Sequence, residues 1–515
     1  MIEGTPLLKL YARSRWSALD REDSAGVQHE TLLKLIRRAA HTRFGTDHKF
    51  HHIQDVADFQ TGVKLRRYED MWRDYWQPMF PNLIDCTWPG TIPYFALSSG
   101  TTSGTTKYIP CSQEMMKANS RGAKDALVHH VRNRPLTRLL DGKNFMLGGS
   151  TDLTELAPGI HAGDLSGIVA ARLSRWTRAF VYPSRELALI ADWDKKVEAL
   201  SYGIMDQDIR SISGTPSWLL IFFEKLFALR PEREPKLHAF FPNLELIAHG
   251  GVNFTPYRPQ FERLLEGSHA ETREVYAASE GFIAAADRGP GEGMRLVADN
   301  DVFFEFIPVK ELTDANPTRH WLRNFELGVD YAIAVTSCAG LFAYVIGDIV
   351  KFVDRNPPRL LVTGRTSYFL SPFGEHLTGD EIEDAVSTAA AAIGASITDF
   401  SVGAIFPDKA HSRGGHLYIV EFNDPSPNAS GVKRFLDTID TVLNRRNDDY
   451  RAHRSGGFGL DPPHMMSVKR GTFEAWMKSR GQLGGQHKVP RIIASDELFQ
   501  SLRNFAHDRI DFGMN

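Results

Sequence analysis

The sequence predicts an α/β protein with a large N-terminal domain, a β-rich subdomain inside it and a smaller α+β C-terminal domain. Three observations lead there. Helical and strand-like stretches alternate through the middle of the chain, the pattern of α/β layers. From residue 302 the pattern changes to short strands separated by turns. Beyond about residue 370, two helical patterns accompany a pair of strands, enough for a compact two-layer domain.

In chain order, Val27, Leu32, Leu35, Ile36 and Ala39 recur at near-helical spacing, predicting an amphipathic helix that leans on the main body. Four prolines and Gly90 between Tyr75 and Pro93 mark an irregular approach to a strand over 94–97. Residues 192–200 predict a helix, and Pro216 opens another because its missing N–H costs nothing in a first turn. A strand over 244–248 ends at His249-Gly250-Gly251. The β-rich part comprises strands over 302–309, 331–336, 341–346, 349–353 and 360–362. The C-terminal domain then takes a helix of about 15 residues from Asp380, strands over 401–406 and 417–422, and a helix over 435–443.

The 515 residues are 42% hydrophobic and 24% charged, enough for sizeable cores and too apolar for global disorder. At about 150 residues per domain, the length suits roughly three units, or one large and one smaller. Sixty Lys and Arg against 63 Asp and Glu leave a net charge of −3, which excludes a nucleic-acid binder acting through bulk charge. Cys86, Cys111 and Cys338 form neither a zinc spacing nor a disulfide framework, so a reducing, cytoplasmic setting is expected. Lys9, Arg13 and Arg15 interrupt the N-terminal apolar residues, and no apolar run reaches the roughly 20 residues a bilayer requires. A soluble protein without a membrane partner is the expectation.

Residues 98–107, Ser-Ser-Gly-Thr-Thr-Ser-Gly-Thr-Thr-Lys, carry the strongest local signal. Hydroxyls and successive backbone N–H groups in a tight turn make an anion-binding concavity suited to a polyphosphate, and Lys107 adds a point charge. A Walker A loop needs its glycine directly before the lysine, whereas Gly104 and Lys107 are separated by two threonines. An ordinary Ser/Thr-rich surface loop is the competing reading. Tyr276-Ala277-Ala278-Ser279-Glu280 follows a strand over 273–276 and offers a ring to stack a base and a carboxylate for a metal beside phosphates. Gly347-Asp348, between two strands, could accept sugar hydroxyls or cap a turn. Arg365, Glu375, Lys488 and Arg491 read as surface charge when taken alone, and His48, His51 and His52 as surface or packing histidines. No G-x-S-x-G, H-E-x-x-H or strand-borne G-x-G-x-x-G occurs.

In order and spacing, these segments resemble the plant-type auxin-responsive family of acyl-acid amido synthetases, a branch of the adenylate-forming superfamily. The family's S-S-G-T-S-x-G-x-x-K motif is similar to residues 98–107, with Thr102 in place of a serine. Its Y-x-S-S-E element resembles residues 276–280, with Ala278 replacing one serine. Its G-D element resembles Gly347-Asp348, preceded here by Ile346 where Arg-rich variants are common. Gly364-Arg365 and Gly374-Glu375 resemble the hinge, with Thr366 where the superfamily often has Asp, and residues 486–491 resemble its Q-x-K-x-P-R tail.

The resemblance implies an adenylate-forming N-terminal domain over 1–365 and a mobile C-terminal lid over 366–515. It implies ATP-dependent adenylation of a small carboxylic acid, then transfer of the acyl group to an amino acid with release of AMP and pyrophosphate. Ser98, Ser99, Thr101 and Thr102 would cradle phosphates, with Lys107 adding charge. Tyr276 would stack the adenine beside Ser279, Glu280 would carry Mg²⁺, and Asp348 would hold the ribose. Arg365 would lie near phosphate or ribose, and Lys488 would meet the charge that develops during reaction. Two rival readings remain open: a thioester ligase using coenzyme A or a carrier thiol, and a nucleotide-binding scaffold that has lost catalysis.

Overall fold

The computed structural model describes residues 3–512 except 100–105, 149–152, 173–174, 189, 191–192, 252–253, 255–256, 313, 366–368, 371–376, 406–413, 424–425, 448–449, 452–453, 455–459, 483–487 and 494. The chain divides into two compact units between Val362 and Thr363.

An eleven-stranded sheet organises the N-terminal unit. One side is parallel: Val181–Tyr182, Lys143–Leu147, Ile209–Gly214, Leu246–Gly250 and Glu271–Ala278 lie side by side. The sheet then continues through Gly281–Ala285, Met294–Leu296, Pro358–Arg365, Leu341–Arg355, Asp330–Ser337 and Val302–Pro308. The helices Trp193–Ile204 and Pro216–Leu229 connect parallel strands, the second with Pro216 in its first turn as expected. A separate four-stranded sheet runs in the order Thr106–Cys111, Tyr94–Ser99, Ile160–Gly163, Thr154–Ala157.

The amphipathic helix spans Ser24–Ala39 and buries Gln28, Thr31, Leu32, Leu35, Ile36 and Ala39, positions that share one face at 3.6 residues per turn. Gln28 is a polar residue on that face, and the sheet edge satisfies it. Its Nε2 donates to the carbonyls of Ala298 and Val302, both at 2.7 Å, while its Oε1 accepts from the Phe304 N–H at 2.8 Å. Gln28→Ala leaves three buried backbone groups unpaired, so urea denaturation should show a loss of about 3 kcal/mol. His48 packs as expected, its ring stacked 4.0 Å from that of Phe44, while His51 and His52 are exposed.

A buried network fixes the entry ends of two central strands. His130, on the helix Gln113–Asn133, is 2.8 Å from Glu271 and 3.8 Å from Glu245, and Thr137 and the Arg138 N–H donate to Glu245. Burial pushes both carboxyls up, but the bonds from His130 and its neighbours outweigh it and hold each at about 2. A depressed carboxyl stabilises the fold at pH above its ordinary value of 4.5 and loses that contribution as pH falls towards about 2. Urea midpoints measured against pH should therefore fall across that window, and Glu271→Gln should make the fall shallower.

The C-terminal unit departs from the two-layer expectation. Its five-stranded sheet runs Ile492–Ile493, Ile397–Ile405, Gly415–Phe422, His464–Val468, Ile510–Phe512. All eight residues of Gly415–Phe422 are buried. Tyr418, Val420 and Phe422 pack with the helices Gly379–Ala392 and Ala429–Arg446, whereas Leu417 and Ile419 pack with Thr472–Ser479 and Asp496–His507. A strand buried on both faces needs a helical layer on each side, so the domain has three layers. Helix 379–392 matches the one read from the sequence and 429–446 extends the other, while 472–479 and 496–507 are additional.

Candidate functional site

The two ends of the phosphate-loop candidate lie on paired strands. Tyr94–Ser99 pairs antiparallel with Thr106–Cys111, placing Ser98 opposite Lys107 and Ser99 opposite Thr106. Thr101 and Thr102 lie outside the described residues. Lys107 is held on the second strand, its Nζ 3.6 Å from Glu69 and 5.2 Å from the centre of the Tyr68 ring. The Tyr68 hydroxyl accepts the Tyr108 N–H at 3.0 Å, tying the helical turn Tyr68–Met71 to the hairpin. Burial pushes the Tyr68 phenol up to about 12, so it remains a neutral ring beneath the ammonium.

Tyr276 lies within Glu271–Ala278, and Ser279-Glu280 forms the two-residue turn into Gly281–Ala285. Tyr276 and Ser279 are buried. The structure changes the reading of Gly347-Asp348: the two expected strands are one, Leu341–Arg355. Ala332 pairs with Ile349 and Ala334 with Val345, so Ile333 alone faces Ile346, Gly347 and Asp348. Gly347 takes a φ of +91°, open to glycine at little cost. This bulge re-aims a side chain without ending the strand.

The Tyr276 hydroxyl donates to Asp348 Oδ2 at 2.6 Å, and both side chains are buried. Their strands stand four places apart in the sheet order, which in a flat sheet would separate them by about 19 Å. The sheet must therefore curl strongly here. A register shift in Gly281–Ala285 adds to the bulge at Gly347, and irregularities of this kind increase local bend and twist. Two predicted site residues thus meet across 72 positions of sequence.

Arg365 is the last residue of Pro358–Arg365, and Glu375 lies outside the described residues. Lys488 belongs to the C-terminal unit and precedes a pinned segment. The Pro490 carbonyl accepts the Ser401 hydroxyl at 2.6 Å, and the Arg491 carbonyl accepts the Val402 N–H at 2.7 Å. Arg491 pairs with Asp399 and lies 4.6 Å from the centre of the Phe400 ring, which makes it a structural anchor for its segment.

Sequence reasoning passed over two ionisable residues beside Tyr276. His249 stands opposite Glu274 on the adjacent parallel strand, and its ring stacks 3.7 Å from that of Phe254. Burial, assisted by Arg258, pushes His249 down to about 3; burial against the opposing pull of Arg258 pushes Glu274 up to about 7. The strands approach closely at the next pair, where a Cβ on Gly250 would sit 2.1 Å from the Val275 carbonyl oxygen. The Gly250-Gly251 pair is the local signal for that approach. Nothing local marks Glu274, whose burial depends on distant segments.

Among the described residues, no group of three or more His, Cys, Asp and Glu could hold a metal ion. Glu280, in its turn, fits a Mg²⁺ that arrives on a nucleotide, since such an ion takes one or two carboxylates and completes its shell with phosphate oxygens and water. No helix among the described residues is long and apolar enough to cross a membrane.

The solved structure of GH3.15 acyl acid amido synthetase has the same fold, with a TM-score of 0.80 and 19% identity over 97% of this chain and 96% of that one. Jasmonoyl–L-amino acid synthetase JAR4 of Nicotiana attenuata is 22% identical over 93% of this chain and 92% of its own length. Indole-3-acetic acid-amido synthetase GH3.3 of Arabidopsis thaliana is 25% identical over 50% of this chain, and the match spans 44% of that relative. Residues 16–213 match the GH3 family N-terminal domain, 295–365 the GH3 family central domain and 380–497 the GH3 family C-terminal domain, and the chain belongs to the GH3 family.

Proposed function

We propose that this protein is an acyl-acid amido synthetase that adenylates a small carboxylic acid with ATP and passes the acyl group to an amino acid. The observation that carries the reading is the 2.6 Å bond between Tyr276 and Asp348, which unites the residues whose motifs suggest adenine and ribose contacts. Family membership and the relatives' printed activities, amide synthesis with indole-3-acetic acid or formation of jasmonoyl amino acids, support the overall reaction.

In the first step a carboxylate oxygen attacks the α-phosphorus of ATP, the bond from that phosphorus to the bridging oxygen breaks, and pyrophosphate leaves. The carboxylate is itself the nucleophile, so no serine, cysteine or histidine need be activated. The requirement is relief of repulsion between anions, which preorganised donors supply at about 3 kcal/mol each. Ser98, Ser99, Thr101 and Thr102 donate to the phosphates, Lys107 adds charge, and Tyr276 stacks the adenine beside Ser279. Asp348, oriented by the Tyr276 hydroxyl, accepts the ribose hydroxyls. Arg365 contacts phosphate or ribose. In the second step the amine attacks the acyl carbonyl, the bond to the AMP phosphate oxygen breaks, and the nitrogen loses a proton. Residues 1–365 bind ATP and acid in this reading, and 366–515 act as a mobile lid that brings Lys488 to the developing charge.

Mg²⁺ would be held by Glu280 together with phosphate oxygens and would supply charge neutralisation there. Glu280→Ala should shift the Mg²⁺ dependence of ATP–pyrophosphate exchange to concentrations about tenfold higher; an unaltered titration argues against a metal role. The free, buried thiols of Cys86, Cys111 and Cys338 support a reducing, cytoplasmic setting.

The test is a hydroxylamine-trapping screen of aryl, indolyl and fatty acids with ATP and Mg²⁺, followed by AMP release with glycine, aspartate, glutamate or coenzyme A. Acid-dependent trapping and amino-acid-dependent AMP release are expected. Release with coenzyme A alone selects the thioester ligase, and no adenylation of any acid selects the inactive scaffold.

A further inference from the structure

A cavity of about 440 Å³ opens within the N-terminal unit, beside the network that holds Glu271. It is bounded by the start of Glu271–Ala278, by the loop after Gly281–Ala285 and by the helix Arg258–Leu264. The Ser279-Glu280 turn closes the other end of the same hairpin. Glu271 and Glu280 are nine positions apart, and the extended part from 271 to 278 alone spans about 23 Å. The two places are therefore separate.

The wall combines cations with apolar surface. Arg134, Arg258, Arg273 and Arg288 supply guanidinium groups, while Phe254, Phe261 and Leu265 supply the apolar part. The carboxylates present leave that charge incompletely matched. Glu271 is already shared by His130 at 2.8 Å, Arg273 at 2.5 Å and Arg134 at 3.2 Å. Arg288 reaches Asp354 only at 3.4 Å, and Asp354 also serves Arg359 at 2.7 Å. Glu262, the other acid on the wall, is exposed. Arg258 has a buried Nε with no hydrogen-bond partner among the described residues. The carboxyl that acts on Arg258, Glu274, is pushed up to about 7 by burial and so neutralises it only in part. Gly291 brings the loop close to this guanidinium: a Cβ there would lie 3.2 Å from Arg258 Nη2, and its φ of +83° suits glycine.

We propose that this cavity binds a small organic anion, a carboxylate or phosphate on a compact apolar body, at a site separate from the nucleotide site. Guanidinium groups match both oxyanions through paired N–H donors, so head-group chemistry alone does not separate the two sources. An apolar body distinguishes either from a free inorganic ion by covering Phe254, Phe261 and Leu265. A volume of about 440 Å³ lies in the range of small-molecule sites.

Calorimetric titration of the full chain with phenyl phosphate, benzoate and inorganic phosphate tests this. Saturable binding of phenyl phosphate or benzoate is expected, with whichever binds tighter naming the head group, and inorganic phosphate should bind at least about tenfold more weakly. In the Arg258→Ala/Arg288→Ala variant the Kd should rise about tenfold or more, from loss of charge-assisted bonds. Lys107→Ala should leave it unchanged. Arg258→Lys/Arg288→Lys keeps the charge and, with a melting curve for each variant, separates lost binding from lost fold. The proposal is overturned by an unchanged Kd in a folded double-alanine variant, by weakened binding in Lys107→Ala, by no saturable binding of either organic anion, or by inorganic phosphate binding as tightly as both.

Discussion

Lys488→Ala is expected to slow ATP–pyrophosphate exchange by a factor of about 100 to 1,000, the scale for removing a donor that meets charge in a transition state, while ATP binding stays nearly intact. Pro490 and Arg491 are fastened to Ser401, Val402 and Asp399 by backbone and ion-pair contacts that do not use the Lys488 side chain. A melting curve of the variant shows whether truncation at 488 also costs stability. A contact made mainly in the transition state lowers kcat and kcat/KM together, whereas one made equally with bound ATP raises KM alone. An exchange rate equal to that of the wild type removes Lys488 from the chemistry.

Asp348→Ala should reduce kcat/KM for ATP by about 100-fold, the equivalent of two charge-assisted hydrogen bonds. It removes the acceptor for the Tyr276 hydroxyl as well as the proposed acceptor for the ribose. Tyr276→Phe separates these roles: the ring still stacks, only the hydroxyl that orients Asp348 is lost, and a loss of about tenfold or less is expected. ATP should suffer more than a deoxyribose analogue in Asp348→Ala, because the analogue lacks one of the hydroxyls the carboxylate would accept. Equal losses for the two nucleotides would mean that Asp348 acts through the packing of Tyr276.

Much of the architecture was legible because it follows from local periodicity. The helix Ser24–Ala39 is written in the spacing of Leu32, Leu35, Ile36 and Ala39, and the helix at Pro216 in a residue that favours a first turn. The hydroxyl-rich segment over residues 98–107 was marked by composition, and the family by the order of motifs from residue 98 to residue 491.

The layer count of the C-terminal domain was not legible. Gly415–Phe422 is apolar enough for burial on both faces, but a continuous run of that kind does not reveal what covers it. Gly347 read as a break between strands because glycine punctuates turns, whereas pairing with Asp330–Ser337 absorbs it as a bulge. His249 and Glu274 carry no local mark, since their displaced titration depends on burial by distant segments.

The sequence by itself determined several of the helices and strands, the hydroxyl-rich segment and the residues that stamp the family. Spacing and residue type act over a few positions and need no fold to be read. Only the tertiary structure decided that Tyr276 and Asp348 touch, that Lys107 rests against Tyr68 and Glu69, and that four arginines line one cavity. Those meetings depend on how the sheet curls and which strands pair, and both follow from side-chain packing summed over the whole domain.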